Sequence, residues 1–549
     1  MNKLHNTLRI LPLIAILALP FSGASQSNGF EVIRSLEQLD QIYEQLQKFY
    51  VDDIQPGSLS KIAIDAMLKE LDPYTVYYHE SNIEDYELMT TGQYGGIGAL
   101  ISRASGEYSF VSEPYQDNPA VKAGIKAGDL ILAIDGKSMK GKNTTEVSSS
   151  LKGPKGTKVE VLVQRPTVGE LTITIERDEI KLPDVPYSGM LNAEIGYVKL
   201  NGFTRTASSD VRAAVNTLYD QGMKKLILDL RGNGGGLLIE AVRIVNMFIP
   251  RNEIVVTTQG RVAEENRTYR TEEEPLDLDI PLVVLMDEGS ASASEIVAGS
   301  LQDLDRAAII GTRSYGKGLV QRTYDLQYGA KIKLTIAKYY TPSGRCVQRL
   351  EYYDREDGEQ VEEISDSLIR IFKTRAGRDV IDGRGIEPDK EVEQEDLCRM
   401  AITMIQENIL FDFATDYYYA HPSIAAAADF EITDSEYEAF KTYVLSKEFS
   451  YSTASEEMLK KVHKTMDEEG FYEDVEAEYA ALLEKVVPSK ERDLEKFKTQ
   501  IKSILENELV SRYYYQSGRA ENSFRDDPFV KEAEAILENI SAYNTILGK

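Results

Sequence analysis

Three serines at alternate positions, Ser290, Ser292 and Ser294, follow a break at Asp287-Glu288-Gly289 and lead into a stretch where Ile296, Val297, Ser300, Leu301 and Leu304 recur at three- and four-residue steps. That spacing predicts a helix with one mostly apolar face. Just before the break, Leu282 to Met286 is an apolar run of the length of a buried strand. A strand, a tight turn and a helix N-terminus would present a serine beside free backbone N–H groups and the positive end of the helix dipole. Negative charge developing on a substrate oxygen is stabilised there. Such a serine is a weak nucleophile until a base takes its proton. The four histidines, His5, His79, His421 and His463, are all remote in sequence, so a Ser-His-Asp triad would need a distant partner. Nearer lies Lys317, in Ser-Tyr-Gly-Lys-Gly, between two glycines whose backbone can bend an amine into a cleft. Gln321, four positions further on, falls on the same side whether the segment is helical or extended. Singly, a serine at a helix start is a cap and a lysine between glycines a solvated turn. Together at this spacing they describe a Ser-Lys pair with an orienting amide.

A second glycine-rich turn sits upstream. The buried-strand pattern Leu226-Ile227-Leu228-Asp229-Leu230 runs straight into Arg231-Gly232-Asn233-Gly234-Gly235-Gly236 and then another helical pattern. A strand, a glycine cluster and a helix can bring bare backbone N–H groups close to a ligand, which suits an oxyanion hole. The rival reading is a phosphate loop, but its Gly-Lys-Ser/Thr ending is missing.

The segments SASASEIVAGSLQD and YGKGLVQ resemble those of the carboxyl-terminal processing peptidases, also called tail-specific proteases. The resemblance implies Ser292 as nucleophile, Lys317, 25 positions later, as its base, and Gln321 as the residue supporting the lysine. It also implies an oxyanion hole made by Ala293 together with Gly235 or Gly236. The fold it implies is an α/β, crotonase-like catalytic core. It extends over most of residues 31 to 395, including YVDD, LDPYTVYY and Gly385-Ile386-Glu387-Pro388-Asp389, and is most specific between 226 and 321.

The elements that must position these groups divide the 549 residues into five segments. Residues 1–24 read as a secretory signal, with Lys3 and Arg9 ahead of ILPLIAILALPF and small residues Ser22 and Ala24 at the cleavage site. Residues 25–89 are helical. Residues 90–180 show short strands and dense turns, and AGIKAGDLILAIDG makes them resemble an inserted bacterial-type PDZ domain. That resemblance implies tail binding by Gly95, Gly96, Ile97 and Gly98, with Val147 and Leu151 lining an apolar pocket. Residues 181–394 form the catalytic core, interrupted by an acidic insertion from Glu351 to Ser367, and 395–549 a helical C-terminal domain.

A net charge of −28, from 62 basic and 90 acidic residues, argues against nucleic acid as a partner. Scattered histidines and two distant cysteines, Cys346 and Cys398, suggest no metal site, and no cofactor is expected. After signal removal no stretch is long enough to span a membrane, so the expected location is periplasmic or otherwise extracytoplasmic. The expected function is an exported serine endopeptidase that cleaves proteins near their C-termini by a Ser-Lys acyl-enzyme mechanism, with the PDZ domain selecting protein or peptide substrates with free apolar C-termini; a homo-oligomer stays open. The alternative is a non-catalytic envelope scaffold that gathers protein tails with its PDZ domain, and a crotonase-like acyl transferase acting on thioesters ranks third.

Overall fold

The computed structural model of the chain describes residues 24–80, 83–103, 106–352, 361–393 and 395–549. All of the expected signal segment but Ala24 lies outside the described residues, as does the middle of the acidic insertion. The chain divides into two compact units at Pro73 and Tyr74. In the first, helix Ala24–Phe49 is joined to helix Pro56–Lys69 by Tyr43 Oη and Ser60 Oγ at 2.9 Å. Pro56 opens the second helix, where a missing N–H costs nothing. That helix stops at Lys69, short of Asp72, because Pro73 disfavours helical backbone in the residue before it.

The second unit is built on a sheet ordered Tyr187–Met190, Ile195–Lys199, Lys225–Asp229, Leu282–Met286, Ala308–Gly311 and Lys390–Glu391. The first pair is antiparallel and the rest are parallel. Both faces of the sheet are covered, so its strands read as continuous apolar runs rather than alternating ones. All five residues of Leu282–Met286 are buried. Leu282, Val284 and Met286 face helices Ala207–Asp220, Leu238–Asn246 and Ala293–Asp303, while Val283 and Leu285 face the end of the chain, where Phe529, Val530, Ala533 and Leu537 pack. A second sheet joins Val76–Tyr78, Lys331–Tyr340, Ile254–Gly260 and Arg267–Arg270, with Leu319–Asp325 paired to Lys331–Tyr340. It carries the lysine loop on its Leu319–Asp325 strand.

The PDZ-like body is a sheet of Ala99–Arg103, Ser109–Pro114, Leu130–Ile134, Lys158–Arg165 and Gly169–Glu176, with helix Thr144–Leu151 packed against the edge strand Ala99–Arg103. The helix begins with a full capping box, Asn143 and Glu146 each satisfying the other's backbone N–H. Strand Gln93–Gly96 pairs with Asp178–Lys181, so the two connections to the core leave side by side. The C-terminal helices enclose their own core around Met404, Leu410, Phe440, Leu494, Leu505 and Leu509. They meet the PDZ-like body through the rings of Phe411 and Phe110, 4.7 Å apart, and through Arg519 and Glu113 at 3.2 Å. Among the described residues no helix is long and apolar enough to cross a membrane.

Candidate active site

The three alternating serines take different parts. Ser290 and Ser294 are buried, and their hydroxyls donate to the carbonyls of Leu230 and Asn233, both at 2.9 Å. They fasten the turn to the glycine-rich loop. Ser292, between them, is partly exposed at the N-terminus of helix Ala293–Asp303. Its φ of 57° and ψ of −110° form a backbone that a non-glycine residue adopts only under constraint, and such strain collects at functional turns. Ser292 N donates to Glu295 Oε2 at 2.7 Å, and Ser292 O accepts from Tyr339 Oη at 3.1 Å and from Ile296 N at 2.9 Å.

Glu295 joins the serine to the lysine. The same Oε2 that takes Ser292 N also accepts Lys317 N, at 2.9 Å, while Oε1 accepts Gly316 N at 2.7 Å and the Ser314 hydroxyl at 2.6 Å. Burial pushes this carboxyl above the usual range, and the four hydrogen bonds pull back toward the ionised form. One fully buried carboxylate thus pins the strained turn and the Gly-Lys-Gly loop to each other. In the sequence Glu295 carries only the Ser-x-x-Glu spacing of a capping box, which by itself marks a helix start and not a link to Lys317.

The lysine amine lies 4.2 Å from the centre of the Tyr74 ring. A ring face favours the charged form of an amine. Tyr74 is anchored in turn, with Oη 3.2 Å from Tyr352 Oη and 3.4 Å from Tyr315 Oη, and burial pushes its phenol up. Gln321 stands on strand Leu319–Asp325 and donates to Thr335 Oγ1 at 3.2 Å; Thr335 is held by Thr75. LDPYTVYY therefore reaches the site through Tyr74 and Thr75, a role its sequence did not reveal. The described histidines pair with tyrosines elsewhere: His79 with Tyr77, His421 with Tyr417, and His463 with Tyr472.

The glycine-rich loop lies directly over the serine. A methyl group added at Gly235 would fall 2.8 Å from Ser292 Cβ and 2.9 Å from Ala293 N. Gly235 N itself donates to Asn233 Oδ1 at 2.9 Å, so of the two glycines it is Gly235 whose N–H is already engaged within the loop. The loop springs from a buried ionic cluster. Asp229 Oδ1 accepts Lys199 Nζ at 3.1 Å and Arg231 N at 2.8 Å, and its Oδ2 accepts Arg231 Nη2 at 2.6 Å and Tyr197 Oη at 2.5 Å. Burial alone would raise the Asp229 carboxyl, but Arg231 and Lys199 outweigh it and hold the group at about 2. Among the described residues no cluster of three His, Cys, Asp or Glu is placed to hold a metal ion, and both cysteines are free thiols.

In the PDZ-like body, Gly95 and Gly96 end the strand Gln93–Gly96, and Ile97 and Gly98 make the turn into the edge strand Ala99–Arg103. Gly95 O accepts Gly153 N at 3.1 Å, and Gly98 adopts a φ of 73° against Asn118. Val147 and Leu151, expected to line an apolar pocket, are 0% and 3% exposed and belong to the buried cluster with Ile97, Ala99 and Ile101. A cavity of about 590 Å³ opens where this body, the core and the C-terminal helices meet, lined by Tyr115, Asn118, Leu182, Asn201, Thr204 and Tyr515.

Residues 194–352 match the model of peptidase family S41, 110–165 that of a PDZ domain, and 400–537 that of a probable PDZ-protease C-terminal helical domain. The chain is 37% identical over 341 residues to a carboxy-terminal-processing protease of Bartonella bacilliformis, covering 61% of this chain and 78% of that protein. It is 34% identical over 314 residues to the carboxy-terminal processing protease CtpA of Bacillus subtilis, covering 57% and 66%. Among solved structures, the photosystem II D1 C-terminal processing protease is 28% identical, with a TM-score of 0.36 over 64% of this chain and 86% of that one.

Proposed function

The chain belongs to the carboxy-terminal processing proteases of peptidase family S41, serine peptidases with a PDZ domain, and on that premise we propose that it cleaves its substrates by a Ser-Lys acyl-enzyme mechanism. The neutral amine of Lys317 takes the proton of Ser292 Oγ as that oxygen attacks the scissile carbonyl. Charge on the carbonyl oxygen is met by Ala293 N, at the start of a helix, and by Gly236 N, since Gly235 N is engaged by Asn233. Lys317 returns the proton to the leaving amine, and water then hydrolyses the ester by the same relay in reverse. The observation that carries this reading is the single Glu295 oxygen that accepts both Ser292 N and Lys317 N. Free lysine, with a pKa of about 10.4, is almost wholly protonated at neutral pH. To act as the base, the amine must therefore give up its proton, which desolvation by bound substrate favours.

Substrate choice falls to the PDZ domain, whose open edge strand Ala99–Arg103 would take a chain end as an added strand, with loop N–H groups at Gly95 to Gly98 holding the terminal carboxylate. Export by the residues 1–24 signal, an extracytoplasmic location and preference for apolar tails belong to the same proposal. The test is to incubate purified mature protein with an unfolded protein bearing an apolar tail and to identify products by mass spectrometry. Ser292→Ala and Lys317→Ala should abolish cleavage while the protein stays folded. Lys317→Arg should not restore it, since arginine keeps its proton. Turnover by Lys317→Arg would remove lysine from the role of base.

A further inference from the structure

The end of the chain is part of the catalytic core. Helices Pro528–Glu538 and Ile540–Ile546 lie on the face of the parallel sheet opposite the nucleophile helix, and Tyr543 Oη donates to Arg306 O at 3.2 Å. Asp527, the N-cap of the first of these helices, reaches the base of the glycine-rich loop. Its Oδ1 accepts Phe529 N at 2.9 Å and Val530 N at 3.2 Å, which caps the helix, and also Arg231 Nη1 at 3.0 Å. Its Oδ2 lies 2.8 Å from Arg231 Nη2, and the Arg231 guanidinium is 4.9 Å from the centre of the Phe529 ring.

Charge explains why this contact matters. Asp229, Arg231 and Lys199 together carry one net positive charge, in a cluster where Asp229 is fully buried and the two cations are 17% and 22% exposed at the side chain. Buried charges are stable only when paired and hydrogen-bonded, and Asp527 brings the cluster to neutrality. The same cluster fixes the loop, because Lys199 Nζ donates to Arg231 O at 2.6 Å and Asp229 accepts Arg231 N. Five residues on lies Gly236.

We propose that Asp527 is a positioning residue for catalysis: supplied by the C-terminal helices, it neutralises and orients Arg231 and so holds the Gly232–Gly236 loop over Ser292. The proposal rests on the reading of that loop as the oxyanion site. Asp527→Asn isolates the role. Asparagine keeps the capping oxygen for Phe529 and Val530, but it replaces Oδ2 with an amide that faces the guanidinium N–H groups. Full-length Asp527→Asn should lose at least tenfold in kcat on the apolar-tailed substrate, with KM within twofold and a melting temperature close to the parent's. Asp527→Glu should recover part of the loss. Hydrogen exchange, followed by mass spectrometry on the peptide spanning 229 to 237, should be faster in Asp527→Asn than in the parent. Exchange and kcat equal to the parent's would overturn the proposal, as would a loss of activity that tracks melting temperature alone across Asn, Glu and Ala variants. A parent that cleaves no better than Ser292→Ala, while loop exchange still responds to Asp527→Asn, would instead count against the peptidase mechanism and leave the positioning role standing.

Discussion

At the scale of single residues, two buried carboxylates act in opposite senses. Glu295 accepts four donors and donates nothing, so an amide in its place would turn an N–H₂ toward backbone N–H groups. Glu295→Gln should destabilise the protein by about 2 kcal/mol or more and abolish cleavage, checked by urea unfolding and the tail-cleavage assay; wild-type activity would show that the serine and lysine loops hold together without it. Its folded value is raised by burial, so its ionised form costs stability at neutral pH and that cost fades below about pH 4. Asp229 runs the other way. Its folded value, about 2, lies below the unfolded one, so its contribution is fully present above about pH 4 and is lost as pH falls toward 2. The difference in unfolding free energy between parent and Asp229→Asn should therefore shrink by on the order of 2 kcal/mol between pH 5 and pH 2. A constant difference would mean that the Arg231 and Lys199 pairing does not stabilise the fold.

At the scale of elements, the site is the place where two strand-to-helix turns touch. The contact is so close that Gly235 has no room for a side chain, its φ is 98°, and an added methyl would lie 2.7 Å from Ala291 O. Gly235→Ala should cost about 1–3 kcal/mol in backbone strain and, on the proposed mechanism, reduce cleavage by about a hundredfold, because Ser292 must shift to admit the methyl. Gly234 is the control: nothing lies within 4 Å of a methyl there, so Gly234→Ala should retain both stability and activity. Melting temperatures and rates for the two variants, measured side by side, test whether contact with Ser292 rather than loop flexibility sets the requirement for glycine.

At the scale of the whole molecule, the PDZ-like body contacts the C-terminal helices through Glu113 and Arg519, and Val147 and Leu151, the expected lining of its tail pocket, belong to its buried core. On the proposal that a chain end adds to the edge strand of this body, cleavage should depend on the chemistry of that end. One substrate made with a free apolar, an amidated and an Asp-extended carboxyl terminus should be cleaved fastest in the free form. With a net charge of −28 on the enzyme, the deficit of the Asp-extended form should narrow as salt rises. Equal rates for all three, at low and moderate salt, would leave the PDZ domain a structural role only.

The sequence by itself determined what depends on neighbours along the chain. Apolar runs marked the buried strands, three- and four-residue steps marked the helices, and the spacing of Ser292, Lys317 and Gln321 marked a Ser-Lys chemistry and a family. Through the family resemblance it named Ser292 among the three serines and left Gly235 and Gly236 open. The tertiary contacts add what the flanking residues do: Ser290 and Ser294 turn their hydroxyls to the neighbouring loop, and Asn233 engages Gly235 N. Glu295, Tyr74 and Asp527 were illegible for the same reason. Each acts on a partner brought to it only by the packed sheets, 296 positions away for Asp527 and Arg231, and a residue's local pattern carries no record of what the fold will set beside it. The sequence placed the last helices in a helical domain of their own; only the folded molecule set Phe529, Val530, Ala533 and Leu537 against the parallel sheet.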